Sequence, residues 1–172
     1  MTLQFQFRIH PTDQWKPKPL ARPFARVQLA HRAEQTLWES FALVDSGAEW
    51  SVFPQSFVEN HITGLNFSDT HREQGRVIWR GLFTPIWLHE VEIRIKGDGR
   101  AGSRLPTLIS GTGKVAFWKD RSASGDLLPA PAPYPLIGQR GILEHLEFTN
   151  LAGQKLFRLR PDRTLKRPWN EA

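Results

Sequence analysis

Proline and glycine interrupt this chain so often that long helices are disfavoured. The 172 residues include 13 glycines and 13 prolines. Proline lacks the backbone N–H that a helix needs, and glycine is costly to order in a helix interior. Between these breaks, apolar and polar residues alternate in short segments, which is the period of a half-buried strand. The sequence therefore predicts a single all-β, barrel-like domain.

The alternation is clear in the first residues, where Leu3, Phe5, Phe7 and Ile9 are separated by polar side chains. Two short helices are also predicted, at "PQSFVENH" (54–61) and "GILEHL" (141–146). Residues 97–135 form the most loop-rich region, although they contain one strand. Further strands are predicted at 24–30, 37–44, 75–80, 84–96, 114–118 and 154–160.

The glycine-rich stretch "SGTGKV" (110–115) invites a phosphate-binding interpretation. A Walker loop needs glycine five residues before its Gly-Lys pair and serine or threonine after it. Leu108 and Val115 occupy those two positions. The stretch is therefore interpreted as a tight turn before a strand.

The residue types exclude several kinds of chemistry and location. The chain has no cysteine, which rules out disulfides, thiolate metal sites and a thiol nucleophile. No histidine pair has the spacing of a zinc site with further ligands nearby. No apolar run approaches the roughly 18 residues of a membrane span, and the first residues do not resemble a signal peptide. A cytoplasmic location is the simplest expectation.

The net charge of +6 raises the question of a nucleic-acid partner. Basic residues are scattered, and their densest run is 158–168. The run is interpreted as a solvated tail, and a nucleic-acid footprint is the weaker alternative. Four of the seven tryptophans fall in predicted strands, where core packing is a commoner use than base stacking. These are Trp38, Trp79, Trp87 and Trp118.

The stretch "FALVDSGAEWSVFP" (41–54) contains the residue most suggestive of chemistry. An apolar run leads directly into Asp45, although burying an unpaired charge is costly. Gly47 permits a tight turn in which backbone N–H groups can approach the carboxylate. Nearly ninety residues later comes "PLIGQRGILEHLEF" (135–148), an apolar pair followed by a glycine.

These segments resemble the retropepsin-like aspartic proteases, in particular the small bacterial single-lobe relatives. The resemblance lies in "ALVDSGAEWSVFP" (42–54), "WRGLFTPIWLHEVEI" (79–93) and "PLIGQRGILEHLEF" (135–148), and their order and spacing fit. It covers residues 19–160 as the protease domain. Residues 1–18 would be an N-terminal strand or arm, and residues 161–172 a basic C-terminal tail.

The resemblance implies an aspartic endopeptidase that acts as a homodimer on peptide or protein substrates. The fold would be one closed β-barrel lobe with a short C-terminal helix. Asp45 of each chain would be catalytic, and the two Asp45 residues together would activate a water molecule. No metal or organic cofactor, and no membrane span, is implied.

The resemblance also assigns the other site residues. In the family, the hydroxyl at the position of Ser46 bonds across to the partner's turn. The family often has arginine directly after the glycine of the second loop, whereas here Gln139 stands there and Arg140 follows. The active-site turn would contain Ser46, Gly47 and Ala48; the substrate-binding flap Trp79, Arg80, Gly81, Leu82 and Phe83; and the second loop Ile137 and Gly138.

Relatives that keep this fold without catalysing proteolysis provide an alternative. Some of these relatives serve mainly as dimerisation or adaptor domains, and the sequence leaves this alternative function open.

Overall fold

The computed structural model describes residues 2–30, 38–56, 75–79, 82–98, 108–122, 124–128 and 134–171. Within them the chain is all-β, as predicted. Single 3-10 turns lie at Pro11–Asp13, Leu143–His145 and Ala152–Gln154. The strands are β1 Leu3–Gln6, β2 Phe24–Ala30, β3 Trp38–Val44, β4 Val52–Pro54, β5 Gly75–Trp79, β6 Leu82–Lys96, β7 Leu108–Trp118, β8 Leu136–Ile137, β9 Leu146–Leu151, β10 Leu156–Pro161 and β11 Asn170–Glu171.

Six strands close into a barrel, in the order β4-β8-β3-β2-β6-β7, with β7 returning to β4. Two of the pairings are parallel, β3 with β8 and β4 with β7. The short strand β8 thus lies between β3 and β4, which follow one another in the chain. The connection from β3 to β4 contains Asp45, so the fold brings that connection to the strand that begins the second loop.

The longest strand, β6, extends beyond the barrel. Its first residues pair with β5 in a hairpin, and its last residues pair with β2. On its other edge β6 pairs with β7 along its length from Ile86 to Lys96. The β5–β6 hairpin therefore projects from one end of the barrel wall.

A second sheet, in the order β1-β10-β9, packs on the barrel and shares its core. The alternation predicted for the N-terminal strand is confirmed over β1, where Leu3 and Phe5 are fully buried. The ring of Phe5 stacks on that of Phe157 with 4.6 Å between centroids. The N-terminal strand β1 and the late strand β10 thus pair with each other inside one chain.

The helix predicted at 141–146 does not form. Only a 3-10 turn is present, at Leu143–His145, and the next residue, Leu146, already begins β9. Gly141 has φ of +89°, a left-handed conformation that cannot begin an α-helix. The other predicted helix, at 54–61, lies outside the described residues from 57 onward.

The interpretation of 110–115 as a tight turn is wrong, because these residues lie inside β7. Close packing, and not a bend in the chain, explains the glycines at these positions. A Cβ atom at Gly111 would lie 2.2 Å from the ring of Trp169, and one at Gly113 would lie 1.9 Å from the carbonyl oxygen of Gly141. Only glycine leaves room for these neighbours.

The run 158–168, expected as a solvated tail, begins inside β10, but its arginine and lysine side chains are exposed, and the residues after it return to the barrel. Trp169 is 4% exposed and belongs to the main core. The next residues form β11, where Asn170 pairs with Ser110 of β7. The ring of Trp169 also stacks on His145 at 5.1 Å. The C-terminal residues therefore act as a strap across the barrel.

Helices of the described residues are all too short to cross a membrane.

Candidate active site

Asp45 lies directly after β3, at the point where that strand leaves the barrel. Val44 pairs with Ile137 of β8, and the backbone N–H of Asp45 donates to the carbonyl of Ile137 at 3.0 Å. Along β3 the side chains alternate, so that Ala42 and Val44 are buried and Asp45 is only partly exposed. The apolar residues before Asp45 thus build the wall of the barrel, and the carboxylate emerges at its end.

The turn formed by residues 45–48, hereafter the Asp45 turn, is stabilised by its own backbone. The N–H of Gly47 donates to Asp45 Oδ1 at 2.9 Å, and the N–H of Ala48 donates to the Asp45 carbonyl at 3.1 Å. Ser46 and Gly47 are exposed. These bonds fix one oxygen of the carboxylate while the tip of the turn faces outward.

The second loop packs tightly against the residues that join the Asp45 turn to β4. A Cβ atom at Gly138 would lie 2.2 Å from the carbonyl oxygen of Trp50. The hydroxyl of Ser51, which is fully buried, lies 3.1 Å from the N–H and 3.2 Å from the carbonyl of Gly138. Sequence analysis did not identify Ser51, although a hydroxyl inside the apolar run "WSVFP" was a visible signal.

Gln139 and Arg140 extend the contact between the two segments. The backbone N–H of Gln139 donates to the carbonyl of Ala48 at 2.9 Å, and its side-chain amide donates to the carbonyl of Ser46 at 2.8 Å. The N–H of Arg140 donates to the carbonyl of Glu49 at 2.8 Å. Four consecutive residues, 137–140, therefore bind the turn and the residues just after it.

Arg140, one position after the place where the family often has arginine, forms an ion pair with Glu49. Its Nε lies 3.5 Å from Glu49 Oε1. Both side chains are more than half exposed, so the pair contributes little to stability. The guanidinium also lies 5.1 Å from the centre of the Trp50 ring. Gln139 replaces the expected charge with a neutral hydrogen bond to the turn.

The predicted flap coincides with the β5–β6 hairpin, in which Trp79 pairs with Leu82. Arg80 and Gly81, and the side chains of Trp79 and Leu82, lie outside the described residues. Ile78 pairs with Phe83, and each is 62% exposed on the same face of the hairpin. Ile78 and Phe83 therefore form a small exposed apolar patch on this face of the hairpin.

The opposite face of the hairpin joins it to the barrel. Ile86 is buried in a small cluster with Val52 and Trp118, and Trp50 packs against this cluster. Trp50 also contacts the second loop through Gly138. The base of the hairpin and the Asp45 turn are therefore linked through Trp50, although Phe83 itself is not part of that link.

A polar cluster that sequence analysis missed lies where the chain enters β8. The hydroxyl of Tyr134 donates to Asp13 Oδ2, and Lys16 Nζ lies 2.5 Å from Asp13 Oδ1. The hydrogen bonds from Lys16 and then from Tyr134 lower the pKa of Asp13. Burial, followed by the bond to Asp13, raises the pKa of Tyr134. The cluster fixes the N-terminal arm to the strand that supports the Asp45 turn.

The ring of His10 packs in the same place, between Phe24 and Tyr134, at 5.1 Å and 4.7 Å. Desolvation lowers the pKa of His10 more than the nearby Asp13 raises it. His10 thus serves as a packing residue of the arm.

Comparisons of the chain with family models, with curated proteins and with solved structures gave no match.

Proposed function

We propose that this chain is one subunit of a homodimeric aspartic endopeptidase of the retropepsin-like type, with Asp45 as its catalytic residue. The observation that carries the proposal is the way the Asp45 turn is bound. Its aspartate follows a barrel strand, accepts a hydrogen bond from Gly47 and is bound through its backbone to Ile137. A carboxylate at an exposed turn with so many backbone restraints is suited to a fixed catalytic role.

The proposed chemistry needs two such carboxyl groups. One is ionised and takes a proton from water, while the other is protonated and donates to the carbonyl oxygen of the peptide. Two carboxyl groups a few ångströms apart share one proton, because both cannot ionise comfortably. The chain contains a single Asp-Ser-Gly sequence, so the second group would come from a second copy. Water oxygen then adds to the peptide carbon, and the amine leaves with a proton.

The β5–β6 hairpin is proposed to cover the substrate. The exposed pair Ile78 and Phe83 would contact apolar side chains of an extended peptide and exclude water from the reacting bond. Gly81 is proposed to give the backbone freedom for closure. Substrates would therefore be extended, largely apolar segments of unfolded protein.

The test is cleavage of a denatured protein mixture by the wild type and by Asp45→Asn, with the cut sites mapped. Loss of the general acid–base pair should lower the rate by roughly 10²- to 10⁴-fold or more. Asp126→Asn, on an exposed loop, is the control and should cleave as the wild type does. Equal cleavage by the wild type and Asp45→Asn would exclude the assignment. A folded wild type that dimerises without cleaving any substrate would instead favour the adaptor alternative.

A further inference from the structure

The three-stranded sheet β1-β10-β9 has two edges, and one of them is closed. At the β1 edge, the N–H of Asp98 donates to the carbonyl of Gln4 at 3.2 Å, and the N–H of Gln6 donates to Asp98 Oδ2 at 2.9 Å. Arg8 also forms an ion pair with Asp98. Another strand could add to β1 only by displacing Asp98 from these bonds.

At the other edge of the sheet, β9 pairs only with β10 within the described part of the chain. The N–H of Phe7 donates to the carbonyl of Lys155, so Lys155, Phe157 and Leu159 direct their backbone groups toward β1.

The alternate residues of β10, Leu156, Arg158 and Arg160, therefore direct their backbone N–H and carbonyl groups toward β9. There they meet Glu147, Thr149 and Leu151. It follows that Phe148 and Asn150 direct their N–H and carbonyl groups away from the sheet. Leu146 does so too, but its N–H is already donated to the carbonyl of Leu143 in the 3-10 turn.

We propose that β9 of a second copy of this chain pairs antiparallel with β9 at this edge, with the two-fold axis passing at Thr149. The result is a continuous six-stranded sheet that joins the two subunits. The inference rests on the proposed function, since a single Asp45 per chain requires a partner copy. The strands β1 and β10 are already paired with each other within one chain, which leaves β9 as the outer strand on that side.

The register follows from the groups that are available. An axis at Thr149 places Phe148 opposite Asn150 of the other copy, and each of these two pairs can exchange two hydrogen bonds. An axis at Phe148 would need the N–H of Leu146, which is taken. An axis at Glu147 would set two carboxylates directly opposite each other, which is unfavourable. With the axis at Thr149, two exposed threonines face each other in a favourable cross-strand pair.

Position along the chain connects this edge to the candidate site. The second loop, which binds the Asp45 turn, leads through one 3-10 turn directly into β9. Pairing at β9 would thus fix the element that follows the second loop in both copies. The edge strand β9 contains no proline, which would protect a sheet edge, and its one charged side chain, Glu147, is paired with Arg160 of the neighbouring strand.

A single cysteine tests the register, because the native chain has none. Opposed residues without mutual hydrogen bonds have Cα atoms about 4.5 Å apart, within the range for a disulfide. Thr149→Cys should give a disulfide-linked dimer under mild oxidation. The control is Arg158→Cys, on the same face of the neighbouring strand, which should remain monomeric on a non-reducing gel. Absence of the link in Thr149→Cys, or equal linkage in both variants, would overturn the proposal.

A proline tests the hydrogen bonds. Asn150→Pro removes an outward N–H but none of the bonds between β9 and β10, whereas Asn150→Ala keeps the N–H. Sedimentation equilibrium should show the dimer Kd raised roughly ten- to a hundredfold by proline and less than threefold by alanine. An unchanged dimer Kd for Asn150→Pro would overturn the proposed interface. If that variant also still cleaved peptide, the proposed function would stand without this interface. Specific cross-linking of Thr149→Cys, together with no peptide cleavage by the wild type, would support the interface and contradict the proposed function.

Discussion

Gly138 approaches Trp50 so closely that a Cβ atom on the glycine would lie 2.2 Å from the tryptophan carbonyl oxygen. The same atom would lie 2.9 Å from the carbonyl oxygen of Ala48. Both neighbours are backbone atoms, which cannot move aside as the end of a flexible side chain can. The contact between the second loop and the Asp45 turn therefore depends on the absence of a side chain at position 138.

Gly138→Ala is accordingly expected to destabilise the protein by about 1–3 kcal/mol, the usual cost of overpacking. Under the proposed function, peptidase activity at a temperature where the variant is folded should fall as well, since the turn must shift. Urea unfolding and a cleavage assay measure the two effects. Gly153→Ala is the control, because no atom lies within 4 Å of the added Cβ there. Similar stability of the two variants would contradict the close contact.

The C-terminal strap provides a prediction about stability alone. Trp169 is 4% exposed and packs against Gly111 and His145. Removing a buried aromatic side chain leaves a cavity, so Trp169→Ala should cost about 3–5 kcal/mol in urea unfolding. Trp15 is 90% exposed, and Trp15→Ala should change stability by about 0.5 kcal/mol or less. A small loss for Trp169→Ala would mean that the strap is not part of the folded core.

Local patterns sufficed for much of the fold. The segment "FARVQLA" matches the bounds of β2, Phe24–Ala30, although the strand is buried on both faces and only Arg26 is exposed. The glycines of β7 led to a wrong prediction of a turn. Gly111 is required because the ring of Trp169, far along the chain, occupies the space of a side chain there. A preference set by a distant partner cannot be seen in a short window of sequence.

The candidate site shows the same division. The resemblance assigned the segments around Asp45 and Gly138 to one site, and the structure brings these two segments into contact. The bonds that join them could not be predicted, because Ser51 and Gln139 act through side chains whose partners lie in the other segment. The pairing of Tyr134 with Asp13 is similarly long-range.

The exposed pair on the β5–β6 hairpin leads to a prediction about activity. Phe83→Ser or Ile78→Ser should leave the melting temperature nearly unchanged, because both side chains are 62% exposed. Under the proposed function, each should reduce kcat/KM for an apolar peptide about tenfold, through loss of apolar contact with the substrate. Leu127→Ser, at a side chain 74% exposed on another loop, should alter neither quantity. A large drop in melting temperature with normal specific activity would identify the hairpin as an ordinary structural element.

The arm that carries Asp13 should stabilise the protein in a pH-dependent way. Hydrogen bonds from Lys16 and Tyr134 hold the pKa of Asp13 below its ordinary value of 3.8. Since the folded state favours the ionised form, the contribution is fully present above the pKa of the unfolded chain and disappears as pH falls through the lower pKa of the folded state. Asp13→Asn should therefore lower the urea midpoint at neutral pH, and the difference from the wild type should shrink below about pH 3.8.

Tyr134→Phe removes one of the two donors to Asp13 and so tests whether the effect belongs to this cluster. In a double-mutant cycle, Tyr134→Phe and Asp13→Asn should be less than additive at neutral pH, because they remove the same hydrogen bond. Urea titrations of the four proteins at neutral pH and at about pH 3 provide the measurement. If Asp13→Asn lowered the midpoint equally at both pH values, packing of the arm and not the charge on Asp13 would account for the loss.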